Sequence, residues 1–346
     1  MVRRILWALL ALAPITIATH FILHPPEMLE FVLAALALVP LAWLIGEATE
    51  HAAHHTGAGI GGFLNATFGN APELIIALFA VADGLTEVVR GSLTGSVIGN
   101  LLLVLGFSLV FGGRGEVDRQ SSFVSLALVG VAVLLFLVPA IPAFDGNPER
   151  DFIVHLSLVP SIALLVVYLV VTYLALRRHR ALHIADEPSE MRAWSLRLSL
   201  AVLAAATVVT AFIAEILVGS LETFSEDAGL SEFFVAAVIV AIVGNAAEHG
   251  GAVVVAYRGK IRLAAEIALA SSAQVAVFLV PAVALLAWLI DPLALAFRPV
   301  ELIATAAAAG LTAVLLLDGR SSRAKGVVLI AAYVVVAVAF LLAGDR

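Results

Sequence analysis

Apolar residues run in long uninterrupted blocks, separated by short clusters of charge, Pro and Gly. Such blocks match the roughly 20 residues an α-helix needs to cross a bilayer, whereas a membrane β-barrel alternates in polarity over segments of about ten. The breaks predict eleven spans, at 5–23, 29–46, 60–82, 91–111, 122–143, 152–176, 196–219, 232–257, 263–290, 299–317 and 325–343. The fold class that follows is an all-α polytopic membrane protein.

Composition agrees. Of 346 residues, 62% are hydrophobic and 13% charged, too few charges to cover a water-facing surface. The chain has no Cys, which excludes disulfide scaffolds, thiol chemistry and thiolate metal sites. A net charge of −7 argues against nucleic acid as a partner and leaves a cationic substrate open.

Charge position then orients the spans. With the N-terminus in the cytoplasm, 15 of the 19 Lys and Arg fall on inner segments, and only Arg90, Arg150, Arg298 and Arg346 on outer ones. This is the positive-inside asymmetry, and Trp7, Trp43, Trp194 and Trp288 fall near predicted interfaces. The expectation is a plasma (inner) membrane protein with its N-terminus inside and its C-terminus outside. Arg3-Arg4 ahead of an apolar run also fits a signal peptide, but the run is long and no small-x-small site follows it. The reading is a retained span over 1–24, a five-helix repeat over 25–176, a cytoplasmic linker over 177–195, and a second five-helix repeat over 196–346.

Sliding the chain along itself until Gly69 falls on Gly244 lays Gly69-Asn70-Ala71-Pro72-Glu73 on Gly244-Asn245-Ala246-Ala247-Glu248. Five spans per copy is an odd number, so the copies would run in opposite senses across the membrane. Inverted repeats of this kind place a substrate site near the midplane and support alternating access. Glu73 and Glu248 fall deep in their spans, where a carboxylate costs about 2.5–3.5 kcal/mol even on lenient insertion scales. With no Lys or Arg expected inside a span, a proton or a cation is left as partner. Asn70 and Asn245 offer amide oxygens, and Gly69, Gly244 and Pro72 permit local unwinding that frees carbonyls. That oxygen-rich set suits a hard cation such as Ca²⁺.

Polar clusters follow the two Glu residues at one and the same spacing, at Ser96 and at Ser271, with Gln274 one turn beyond the latter. They either bond the carboxylates or an ion, or serve helix packing. His249 either donates a hydrogen bond or relays protons. Glu47, Glu222 and Glu215 either draw cations to the two mouths or, for the first two, sit at solvated helix ends. His51, His54 and His55 have a metal-compatible spacing on what is more simply a polar helix end. No HExxH and no Ser/His/Asp set lies within the spans, so the chain is not read as an enzyme.

The motifs GGFLNATFGNAPELIIALFAVADG (61–84), GSLTGSVIGNLLLVLG (91–106), VGNAAEHGGAVVVAYRGK (243–260) and ALASSAQVAVFLVP (268–281) resemble the cation/proton exchanger family of the calcium/cation antiporter superfamily. The resemblance spans nearly the whole chain. It implies Ca²⁺/H⁺ exchange, with Glu73 and Glu248 as essential carboxylates. It places Asn70, Asn245, Ser96, Ser271 and Gln274 around the ion, and makes His249 the family histidine. Ca²⁺, protons and the lipid bilayer are then the partners, with no cofactor, and a homo-oligomer stays open. Gly99 departs from the pattern, since some relatives carry Ser there. The alternatives are a Na⁺/Ca²⁺ or other divalent-cation exchanger of the same superfamily, and a passive cation channel.

Overall fold

The computed structural model describes residues 2–144, 147–181 and 194–345. The expected linker over 177–195 therefore lies largely outside the described residues. In chain order the helices are α1 (Arg3–Leu23), α2 (Glu27–Phe68), α3 (Ala71–Ala82), α4 (Thr86–Gly112), α5 (Arg119–Ala143), α6 (Asp151–Ala181), α7 (Leu196–Gly219), α8 (Leu221–Ala228), α9 (Glu232–Gly244), α10 (Ala246–Tyr257), α11 (Ile261–Leu289), α12 (Pro299–Leu316) and α13 (Arg323–Ala343). A two-residue ladder, β1 (Gly115–Glu116) with β2 (Arg320–Ser321), ties two loops at the end rich in basic residues, called here the basic end.

Among the described residues, nine helices are long and apolar enough to cross a membrane, or ten if the pair α8–α9, bent by 110°, is one span. The chain is a multi-pass integral membrane protein. The sequence led us to expect eleven spans, and the shortfall has a local cause. The nine correspond to every expected span except 60–82 and 232–257. Those two are each broken at an Asn, leaving α3 and α10 only 12 residues long. Twelve residues rise about 18 Å, well short of a bilayer's hydrocarbon thickness of about 30 Å.

A second difference concerns 47–59, expected to separate two spans and to begin as a polar helix end. Helical backbone continues through it, from Glu27 to Phe68. Phe68 and Ala71 nevertheless pack in one cluster with Leu44, Ile45 and Ala48. A straight helix from Ile45 to Phe68 would separate its ends by about 35 Å. The axis therefore does not run straight between them.

Burial grades the helices. In α4 and α11 the apolar windows are 83% and 67% buried, against 22% in α13 and 11% in α1. The first two form the centre and the last two face lipid, with Val335 and Leu342 on the surface of α13. The centre is dense because small residues line it. A Cβ added to Gly95 of α4 would come within 1.9 Å of the Ala237 carbonyl oxygen on α9, so only glycine allows these backbones to meet. At the periphery α2 lies along α7 for most of its length.

Elements recur at the offset that relates Gly69 to Gly244. α3 and α10 match residue for residue, as do the starts of α4 and α11. Each of those longer helices passes through a π-helical turn, Gly99–Val104 in one and Val275–Leu279 in the other. Gly84 and Gly259 take the left-handed conformation at equivalent turns, with φ of 74° and 81°.

Candidate ion site

Glu73 and Glu248 are the third residues of α3 and α10, and the preceding breaks present them. Asn70 (φ −100°, ψ 15°) and Asn245 (φ −89°, ψ 3°) leave helical geometry, and neither side chain caps the helix it precedes. Asn245 instead turns into the protein, where its Nδ2 donates to Ser96 Oγ at 2.8 Å and to the Ala241 carbonyl at 2.9 Å. Its Oδ1 and Glu73 Oε2 are buried acceptors with no hydrogen-bond partner among the described residues. Buried oxygens left unmatched are costly unless something binds them. Two such acceptors, one from each half of the repeat, suit a proton or a hard cation.

The two breaks meet. A Cβ on Gly244 would lie 3.2 Å from Glu73 Cγ, so the Glu73 stem rests against the second break. Glu248 Oε2 accepts the Ser271 hydroxyl. Glu248, Ser271, Gln274, Gly69 and Gly244 all line one cleft of about 670 Å³, whose mouth carries Glu47, Glu50 and Glu266. Glu73, Asn70, Asn245 and Ser96 lie behind it, each at most 7% exposed. The cleft thus opens towards the basic end, reaches Glu248 and stops at the glycines.

His249 does not join this group. It lies off the cleft lining, and its buried Nε2 has no partner among the described residues. Glu215 is exposed and Glu222 sits on the opposite surface. Glu47 is no simple solvated end: at 15% side-chain exposure it lines the cleft, pairs with Arg3 at 2.6 Å and lies 3.5 Å from His51 Nε2. The three histidines form no metal cluster, and among the described residues no three His, Asp or Glu do. His51 stacks on Trp194 at 4.5 Å, and His55 Nε2 bonds the Trp194 carbonyl at 2.7 Å, fastening the start of α7 to α2.

Arg90, expected on an outer segment just before its span, lies instead within the first turns of α4 and is buried. It is 1% exposed on α4, held by Glu87 at 2.8 Å, Glu149 at 2.7 Å and the Ala294 carbonyl at 3.0 Å. Beside it, Glu301 accepts the Thr94 hydroxyl at 3.1 Å and the Arg298 backbone N–H at 2.7 Å. Arg298 lies 3.7 Å over the Phe233 ring and donates to the Gly344 carbonyl at 2.7 Å. This cluster closes the end opposite the cleft. Its signal was present in the i, i+3 pairs Glu87/Arg90 and Arg298/Glu301, which read as loop or span-end residues by position alone.

Outside the membrane, the Ser121 N–H that Asp118 accepts at 2.9 Å holds the Asp118 carboxyl below its usual range, with Arg262 adding to this. Asp318 is lowered chiefly by the Lys325 ammonium at 2.6 Å.

Comparison with known proteins fits this geometry. The sodium/calcium exchanger protein family matches residues 27–177 and 198–342. The chain belongs to that family. Within it the likeness is to cation/proton exchangers. The chain is 38% identical over 333 residues to the Ca²⁺/H⁺ antiporter ChaA of Bacillus subtilis, covering 93% of this chain and 94% of that one. It is 36% identical over 361 residues to a Ca²⁺/H⁺ antiporter of Synechocystis sp., covering 97% of each. The solved structure of native YfkE superposes with a TM-score of 0.84 at 35% identity, over 97% of this chain and 99% of that one. The fold of this family member is thus one already seen in a Ca²⁺/H⁺ antiporter.

Proposed function

We propose that the chain is a secondary transporter exchanging Ca²⁺ for H⁺ by alternating access, with Glu73 and Glu248 binding either Ca²⁺ or protons. The observation that carries this reading is the pair of repeat-related breaks, each presenting a glutamate, that meet where Gly244 touches Glu73 and leave Asn245 Oδ1 and Glu73 Oε2 without partners among the described residues. Two carboxylates, two amides, Ser96, Ser271, Gln274 and freed carbonyls supply oxygens towards the six to eight that Ca²⁺ takes. One Ca²⁺ or two protons neutralise the same two charges, which makes the ions mutually exclusive.

Each broken helix, with the segment preceding its break, is one span, giving eleven spans in two inverted repeats behind α1. The bias of basic residues towards the cleft end supports a cytoplasmic cleft and an N-terminus inside, in what we take to be the plasma membrane. Ca²⁺ enters from the cytoplasm and binds deprotonated Glu73 and Glu248. Movement of α2 and α7 then exposes the site outward, where protons displace the ion and reset the carrier. The central positions of α4 and α11 carry Ser and Gln rather than further acids, which favours protons over Na⁺ as counter-ion. Ca²⁺ uptake into everted vesicles under an imposed pH or Na⁺ gradient tests this, with Glu73→Gln and Glu248→Gln alongside. Uptake that needs Na⁺ and ignores pH would overturn proton coupling, and normal transport by either variant would overturn the site.

A further inference from the structure

α4 and α13 touch and then part towards the basic end. A Cβ added to Gly326 of α13 would lie 2.5 Å from the Gly106 carbonyl oxygen of α4, so the two backbones meet there. Beyond that contact a recess of about 520 Å³ opens between the helix ends, lined by Gly112, Gly113 and Arg114 on one side and Ser322, Arg323 and Ala324 on the other. Its walls are held by the protein itself. The β1–β2 ladder ties the two loops, and the Ser321 hydroxyl donates to the Gly113 carbonyl at 2.8 Å. Gly113, at φ 71°, makes the turn that carries Arg114 off the helix. Arg114 and Arg323 are exposed, and neither has an ion-pair partner among the described residues. No acid is among the described residues that line this recess. The next recess along the ladder shares Arg114 but includes Glu116 and Asp318, and Asp318 already holds Lys325 at 2.6 Å.

Two unpaired guanidiniums in one recess suit a phosphate, whose oxygens match their forked donors. Position then says which phosphate. The recess sits at the ends of two membrane helices, and one to two turns deeper Phe107 and Phe111 on α4 and Val327 and Val328 on α13 are exposed. A free anion has no use for that apolar surface, whereas acyl chains do. We infer that the recess binds an anionic phospholipid, its phosphate on Arg114 and Arg323 and its chains along Phe107, Phe111 and Val327. Bound in this way, the lipid fastens the central helix α4 to α13 on the lipid-facing surface and stabilises the folded chain by mass action. The recess lies apart from the ion site and does not depend on which ions are exchanged.

The test titrates the full chain in a neutral detergent with dioleoyl phosphatidylglycerol, reading bound lipid by native mass spectrometry and the thermal unfolding midpoint beside it. The midpoint should rise with this lipid and not with dioleoyl phosphatidylcholine. Each arginine beside an anionic headgroup is worth roughly fivefold in binding. Arg114→Gln and Arg323→Gln should therefore each weaken phosphatidylglycerol binding at least threefold, and the double variant at least tenfold. Arg258→Gln removes an exposed arginine at the same end but off both recesses, and should leave binding within twofold. Equal losses in Arg258→Gln and in the recess variants would mean diffuse attraction to a basic face and would overturn the site. Inorganic phosphate or glycerol phosphate binding as tightly as the lipid would overturn the lipid assignment, and so would equal binding of phosphatidylcholine. If the double variant fails to fold, the two single variants, each changing one exposed side chain, decide the matter.

Discussion

Ser272 Oγ donates to the backbone carbonyl of Val97 at 3.1 Å, and the two positions are 175 apart, the same offset that lays Gly69 on Gly244. Copies related by a two-fold axis touch at equivalent positions only close to that axis. The bond therefore marks where the proposed axis passes, between α4 and α11, beside Ser96 and Ser271. Ser272→Ala should cost about 1 kcal/mol, the usual net worth of one hydrogen bond, and leave Ca²⁺ flux within twofold of wild type. Thermal unfolding in detergent and vesicle flux check the two halves separately.

Asn245 joins the second break to α4 through Ser96. Asn245→Ala removes that link together with the free Oδ1, so half-saturating Ca²⁺ should rise at least tenfold. Asn245→Asp restores an oxygen but adds a charge and loses the donor to Ser96. It should bind Ca²⁺ and exchange slowly, which isothermal titration beside flux would separate.

The charge cluster around Arg90 is structural. Glu87→Gln with Glu149→Gln strands a guanidinium that is 1% exposed, and stability should fall by about 3–5 kcal/mol. Each single variant leaves one carboxylate partner and should cost much less. A double-mutant cycle on unfolding midpoints would return strong coupling, and near-additive losses would contradict the network.

At the cleft mouth, Glu50→Ser copies what the other repeat carries at Ser225. The apparent KM for cytoplasmic Ca²⁺ should rise two- to fivefold with Vmax unchanged, and the difference should shrink as ionic strength increases. A fall in Vmax instead would place Glu50 in the site itself.

Asp118 and Asp318 are both held below the ordinary aspartate value. A carboxyl lowered in the folded state stabilises it above the unfolded value of about 3.9 and loses that contribution as pH falls through the folded value. The share of stability these two carboxyls contribute should be constant above about pH 5 and lost below about 4, so the acid decline in unfolding midpoint should be smaller in Asp118→Asn. Both groups reach solvent, so salt should blunt the slope.

The apolar blocks made most of the architecture legible, because lipid permits little but helix over a run of about 20 residues. The repeat pointed to Glu73 and Glu248, since charged residues that deep are rare. What stayed hidden has physical reasons. Periodicity gives a residue's face but not what meets it, so neither the Asn245–Ser96 bond nor the contact of Glu73 with Gly244 could be read. Arg90 and Glu301 sit near span ends, where burial depends on neighbours from distant segments such as Glu149 and Arg298. The helix through 47–59 was obscured by its own polarity, which suits an exposed turn as well as a cleft wall.

The meeting of α4 and α9 at Gly95 bears on how mutational maps of this protein should be read. With 1.9 Å between a hypothetical Cβ and the Ala237 oxygen, every substitution there forces two backbones apart. A survey scoring growth or flux alone would rank position 95 beside Glu73, though glycine has no side chain with which to bind an ion. Only a parallel measure of how much folded protein reaches the membrane separates a position that carries cargo from one that holds the walls together.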